Sequence, residues 1–224
     1  MRKLFSADHI VAELQNFEFD NAFNPYRDVC QAYDHEKSAD MRAEILFEML
    51  VRADEKAVDA IWIGRDLGYR GGRRTGLALT DDVRFSSHLK RWGIDASRPT
   101  KGQPVAERTA SIVWDFLDLI EKNIFLWNVF PFHPHAPYDE FSNRTHNAAE
   151  RRFGERVLKC IQEFIRPEKI IAIGNDASKV AVRLFPELKV HSIRHPSYGG
   201  QAEIASGISK IYSIEKNDRQ PRLI

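Results

Sequence analysis

Three short segments of this chain set residues able to polarise a bond beside glycines that let a ligand come close. The first is GRDLGYRGGRRTG, residues 64–76, where one acid, Asp66, stands among Arg65, Arg70, Arg73 and Arg74. A lone carboxylate can hold a water or face a developing positive charge, while guanidinium forks and backbone amides suit phosphate oxygens. Gly64, Gly68, Gly71, Gly72 and Gly76 permit tight turns and close backbone approach. The second segment, LWNVFPFHPHAPYDEFSNRTH, puts Asn128 near the end of an apolar run, where its amide offers a donor and an acceptor together. The third, RHPSYGG, carries His195, a hydrogen-bond donor at another strand end.

Other chemistries fit these segments poorly. The first loop lacks the GxxxxGK[ST] order of a triphosphate-binding loop and has no GxGxxG at the strand end. His133, His135, Asp139 and His146 are metal-binding types within fourteen positions. Prolines follow both His133 and His135, however, and no tight ligand spacing such as HExxH appears, so no metal site is expected.

The elements that must hold these segments are legible in the apolar pattern. Four runs, Ala60–Gly64, Phe125–Phe130, Ile170–Gly174 and Val190–Arg194, are apolar without strict alternation, as in parallel strands covered on both faces. Helical patterns lie between them at Asp82–Trp92, Pro104–Lys122, His146–Ile165 and Asp176–Phe185; Ser38–Arg52 precedes the first strand and Gln201–Glu215 closes the series. Strand alternating with helix predicts an α/β fold, three layers α/β/α around a central four-stranded parallel sheet, with its ligand crevice at the carboxyl ends of the strands. Each of the three chemical segments follows such an end. One domain spans residues 1–224, with 1–24 read as an N-terminal extension and 217–224 as a flexible tail.

Composition sets the remaining bounds. Lys+Arg number 33 against 32 Asp+Glu, so any surface for a polyanion must be local. Cys30 and Cys160 lie outside any CxxC spacing, which excludes a four-cysteine zinc or iron-sulfur site and points to a reducing cytoplasm. The start of the sequence reads as neither an export signal nor a membrane anchor.

With their order and spacing, GRDLGYRGGRRTG, WNVFPFHP and RHPSYGG resemble the active-site segments of the uracil-DNA glycosylase superfamily, in a cluster-free bacterial branch. The resemblance runs from about Pro25 to Tyr212. It implies a monofunctional glycosylase that flips a damaged or modified base, uracil first, out of DNA and hydrolyses its N-glycosidic bond with no cofactor. Asp66 and His195 would be catalytic: the acid serves the attacking water or the sugar cation, and the histidine donates to the departing base. Gly64, Tyr69, Leu79 and Asn128 would contact the base, with Asn128 reading its O4 and N3–H edge and Tyr69 excluding a 5-methyl group. Leu79 stands where these enzymes carry a stacking phenylalanine, and Leu67 where they carry a proline. Arg70, Arg73, Arg74, Asn143, Arg144, Ser197, Tyr198 and Gly199 are expected to touch DNA, with the protein as a monomer. Three other readings stay open: a glycosylase of this fold for hypoxanthine, xanthine or a modified phage base; a silent DNA-binding module; and a metal hydrolase using the histidine-rich segment.

Overall fold

The computed structural model describes residues 5–196 and 200–214. In chain order its elements are α1 (Ala7–Asn16), β1 (Ala22–Phe23), α2 (Ser38–Glu55), β2 (Ala60–Gly64), α3 (Gly72–Thr75) and α4 (Phe85–Trp92). There follow α5 (Arg108–Leu117), β3 (Ile124–Asn128), β4 (His133–Pro134), α6 (Ala148–Ile165), β5 (Lys169–Ile173), α7 (Asn175–Leu184), β6 (Lys189–Ile193) and α8 (Gln201–Tyr212). The fold is α/β, and β2, β3, β5 and β6 form a four-stranded parallel sheet in the order β3-β2-β5-β6. The short β1 and β4 pair antiparallel beside it.

Successive strand side chains point to opposite faces, so a strand apolar throughout must be covered twice. On β2, Ile61 and Ile63 enter a core built with α1, α2, α4, α6 and α7, while Ala60 and Trp62 enter one built with α5 and α8. That division makes the three layers. It also fixes register: Ala60 pairs with Ile124 at one end and Gly64 with Asn128 at the other, and a slip by one residue would exchange the faces. Each sequence-predicted strand is present to within a residue or two. The helices begin later than expected where prolines and acids hold the chain extended, as at Arg108 rather than Pro104. Helix α1 was not anticipated. Ser6 caps it by accepting from the His9 N–H, and Ile10, Val11 and Leu14 pack into the larger core, so part of the presumed extension belongs to the body of the fold. No helix among the described residues is long and apolar enough to cross a membrane.

One contact sets the height of α6 above the sheet. A Cβ at Gly154 would lie 2.0 Å from the Val129 carbonyl oxygen, so the helix rests directly on the backbone that leaves β3. Gly154→Ala is therefore expected to destabilise the protein by about 1–3 kcal/mol despite alanine's better helix propensity, read as a lower urea midpoint.

Candidate active site

The carboxyl ends of the strands open onto a cavity of about 590 Å³. Pairing between β2 and β3 continues into the loops that wall it. The Val129 N–H donates to the Gly64 carbonyl at 2.9 Å, Phe130 N–H to Arg65 O at 3.0 Å, and Leu67 N–H to Phe132 O at 3.2 Å. Gly64, Asp66, Leu79, Asn128, Asn143, Arg144 and His195, all expected in the site, line this one cavity.

Asn128, the last residue of β3, is 2 % exposed, and its Oδ1 is buried without a hydrogen-bond partner. An unpaired buried acceptor costs about 1–3 kcal/mol, which a ligand N–H would recover. The amide fits only because its neighbour on β2 has no side chain: a Cβ at Gly64 would come 2.3 Å from Oδ1. Leu79 packs on the same spot in the left-handed region, φ 53°, a costly conformation for a branched side chain. Its carbonyl accepts from the Trp114 indole at 3.0 Å, one anchor for that strained turn.

Asp66 is nearly buried, and both its oxygens are engaged. Oδ2 accepts from Arg65 Nε at 2.6 Å, and Oδ1 accepts from His146 Nδ1. Because a carboxylate only accepts, His146 carries its proton on Nδ1, and its Nε2 faces Asp176 Oδ2 at 3.6 Å. Asp176, in the first turn of α7, is itself paired with Arg151 of α6. His146 sits one residue before Asn147, whose side chain forms a capping box with Glu150 at the start of α6. Grouping His146 with other histidines as potential ligands hid its role as the partner of Asp66. The legible signal was the NAAE cap, which fixes where the chain enters the helix.

His195 leaves β6 toward the cavity. Burial, and secondarily the charge of Arg65, holds its imidazole below the ordinary histidine pKa, which favours the neutral ring. Gly174 makes room beside it at φ 96° and donates its N–H to Ile193 O at 2.7 Å.

Glu107, the N-cap residue of α5, also enters the cavity, and no motif announced it. Its carboxyl oxygens lie over Gly68 and Gly71, where added Cβ atoms would come within 2.3 Å and 2.2 Å. Burial, then the neighbouring charge of Asp81, pushes its pKa up to about 7, against a smaller opposing pull from Arg70. Those glycines therefore accommodate an acid from another element.

The arginine-rich loop is largely interior, which corrects the expectation that Arg73 and Arg74 grip DNA. Arg73 is 1 % exposed and bonds Glu140, the Tyr33 hydroxyl and the Glu140 carbonyl; Arg74 pairs with Asp82 at 2.7 Å. Desolvated guanidiniums need such partners, and these have them within the protein. Arg70 remains exposed, with Nε on the Ala106 carbonyl. Arg144 clasps Glu150 and the carbonyls of Asn21 and His135, and Asn143 Oδ1 accepts from the Tyr69 N–H at 3.2 Å. Both thus brace the loop while showing on the cavity wall. Gly68, rather than Tyr69, forms that wall. Ser197, Tyr198 and Gly199 lie outside the described residues. Burial and Arg73 push the pKa of His133 down to about 3, and His146 is committed to Asp66. Among the described residues no group of three His, Cys, Asp or Glu side chains is arranged to hold a metal ion.

No family model and no curated protein matches the chain. In three dimensions it is similar to the wild-type SMUG2 of Pedobacter heparinus, seen in a crystal structure, with a TM-score of 0.61 and 16% sequence identity over 92% of this chain and 97% of that one. At that identity, what the two chains share is the fold.

Proposed function

We propose that this chain is a DNA glycosylase that draws an extruded base into the cavity and hydrolyses its N-glycosidic bond, with uracil the first candidate. One observation carries the reading: Asp66, Asn128 and His195, from three different strand ends, line a single cavity. The fold shared with SMUG2, a glycosylase of the uracil-DNA glycosylase superfamily, supports it.

The chemistry follows from where charge appears. As the bond breaks, its electron pair leaves with the base and positive charge grows on the sugar. The Asp66 carboxylate stabilises that charge and orients the water whose hydroxyl adds to the sugar carbon, the water's proton passing to the carboxylate or to solvent. His195, its neutral ring favoured by its surroundings, donates to the base oxygen that becomes negative. Asn128 Oδ1 takes the N3–H of uracil and its amide N–H the O4, which satisfies the unpaired acceptor. Hydrogen-bond donation from His146 keeps the Asp66 carboxylate in one orientation throughout. A duplex hides this bond, so the base must leave the stack at a cost of a few kcal/mol, lowest at mispairs.

A duplex with a single U:G pair, incubated with the protein and cleaved with alkali, is expected to yield strand breaks at the uracil alone; intact strands with every modified base tried would overturn the proposal. Asp66→Asn and His195→Ala should each lower single-turnover excision by about 10²–10³-fold while leaving thermal stability near that of the parent. Nitrogen NMR shifts followed through a pH titration should show the His195 ring protonating at a lower pH than an ordinary histidine.

A further inference from the structure

A pyrimidine in this cavity has few edges to spare, on the glycosylase reading given above. N1 carries the sugar, the C2 oxygen meets His195, and N3–H with O4 meet Asn128. The C5–C6 edge remains. Two polar side chains on the wall already have partners: Arg144 has Glu150, and Asn143 has the Tyr69 N–H. The Glu107 carboxyl does not; it accepts no hydrogen bond from any described residue, although its own N–H is anchored on Asp81 at 2.6 Å. It lies against the bare backbone of Gly68 and Gly71, two to five residues beyond Asp66 in the same loop.

We propose that Glu107 is the specificity-determining residue at the C5 edge of an extruded pyrimidine, refusing a 5-methyl group by polarity instead of by the bulk of Tyr69. A methyl group seated there would strip hydrogen-bonded water from a carboxyl and return no donor, a cost that uracil avoids. The charges facing this carboxyl are Asp81 and Arg70, and its pKa of about 7 makes it half ionised near neutrality. The ionised form is the costlier one to dehydrate, so rejection of the methyl strengthens as pH rises from 5.5 to 8.5.

The test uses two duplexes that differ only in U:G against T:G, with affinity read by fluorescence anisotropy and excision by single turnover. The parent protein is expected to favour uracil by about tenfold or more at pH 8.5, the scale of one-methyl discrimination, and by less at pH 5.5. Glu107→Ala should remove most of that preference, and Glu107→Gln should make it independent of pH. Tyr69→Ala, whatever its effect on overall binding, should leave the ratio intact. A ratio that survives Glu107→Ala, or that collapses in Tyr69→Ala, overturns the inference. Should the parent excise neither base, the glycosylase reading falls separately, and the anisotropy ratios still decide the role of Glu107: equal affinity of the parent for the two duplexes would refute it. Folding is checked in the same samples by thermal melts, where Glu107→Gln should gain stability over the parent as pH rises through 7 and none below 4.5, because the raised pKa penalises only the ionised form.

Discussion

The closing pair of β2 and β3 sets Gly64 against Asn128, and the cavity depends on the empty space at that glycine. Parallel strands hold facing residues at a fixed separation, so a side chain at position 64 has nowhere to go but into the Asn128 amide, which a Cβ would approach to 2.3 Å. Moving the amide would break more than one contact, since the Val129 and Phe130 N–H groups immediately beyond it are tied to the Gly64 and Arg65 carbonyls. Asp66 then follows two residues after the glycine and is held by the same continued pairing, through Leu67 and Phe132. A ligand-facing acceptor and a buried acid are thus positioned by sheet register, the least adjustable feature of an α/β fold.

Around that register the protein places ionic groups that pair with one another. Arg42 pairs with Asp34, Arg74 with Asp82, Arg144 with Glu150 and Arg151 with Asp176. Burying such pairs adds little net stability, because desolvation offsets most of the attraction, but removing one partner would strand the other. Their consequence is rigidity where loops would otherwise be free: the segment from His133 to His146 is fastened at Arg144, at Asn143 and at the α6 cap. His146 reaches Asp66 because of those fastenings, eighty positions away in sequence.

The strands were readable because burial on both faces leaves an uninterrupted apolar run, and Asp66, Asn128 and His195 were readable because each stands at the end of one. What escaped depends on contacts that no local pattern encodes. Arg73 and Arg74 look like surface cations until Glu140 and Asp82 are brought beside them. Glu107 sits in a polar stretch with no periodicity, and its meaning comes only from Gly68 and Gly71, which local reading assigned to tight turns and close backbone approach. Helix α1 was overlooked because its apolar face, Ile10, Val11 and Leu14, occupies a short amphipathic segment amid charges. The β1–β4 pair is two residues long on each side, too brief for any period to emerge.

On the proposed glycosylase reading, the inward turn of the arginines changes what would hold a nucleic acid. Of the four in the first loop, Arg65 and Arg70 are the exposed pair, and Arg65 already leans on Asp66. A surface with two such cations would displace fewer counterions from DNA than one with four, so on that reading long-range attraction would contribute modestly, in keeping with a chain whose formal charge is +1. Recognition would then fall more heavily on the cavity, where the unpaired Asn128 Oδ1 and the Glu107 carboxyl would gain or lose hydrogen bonds according to what enters. Groups buried in that way discriminate steeply, because a wrong partner leaves them desolvated and unmatched. Leu79, aliphatic and strained beside them, would offer an apolar contact without hydrogen-bonding preference, and so would leave the choice among bases to the polar groups around it.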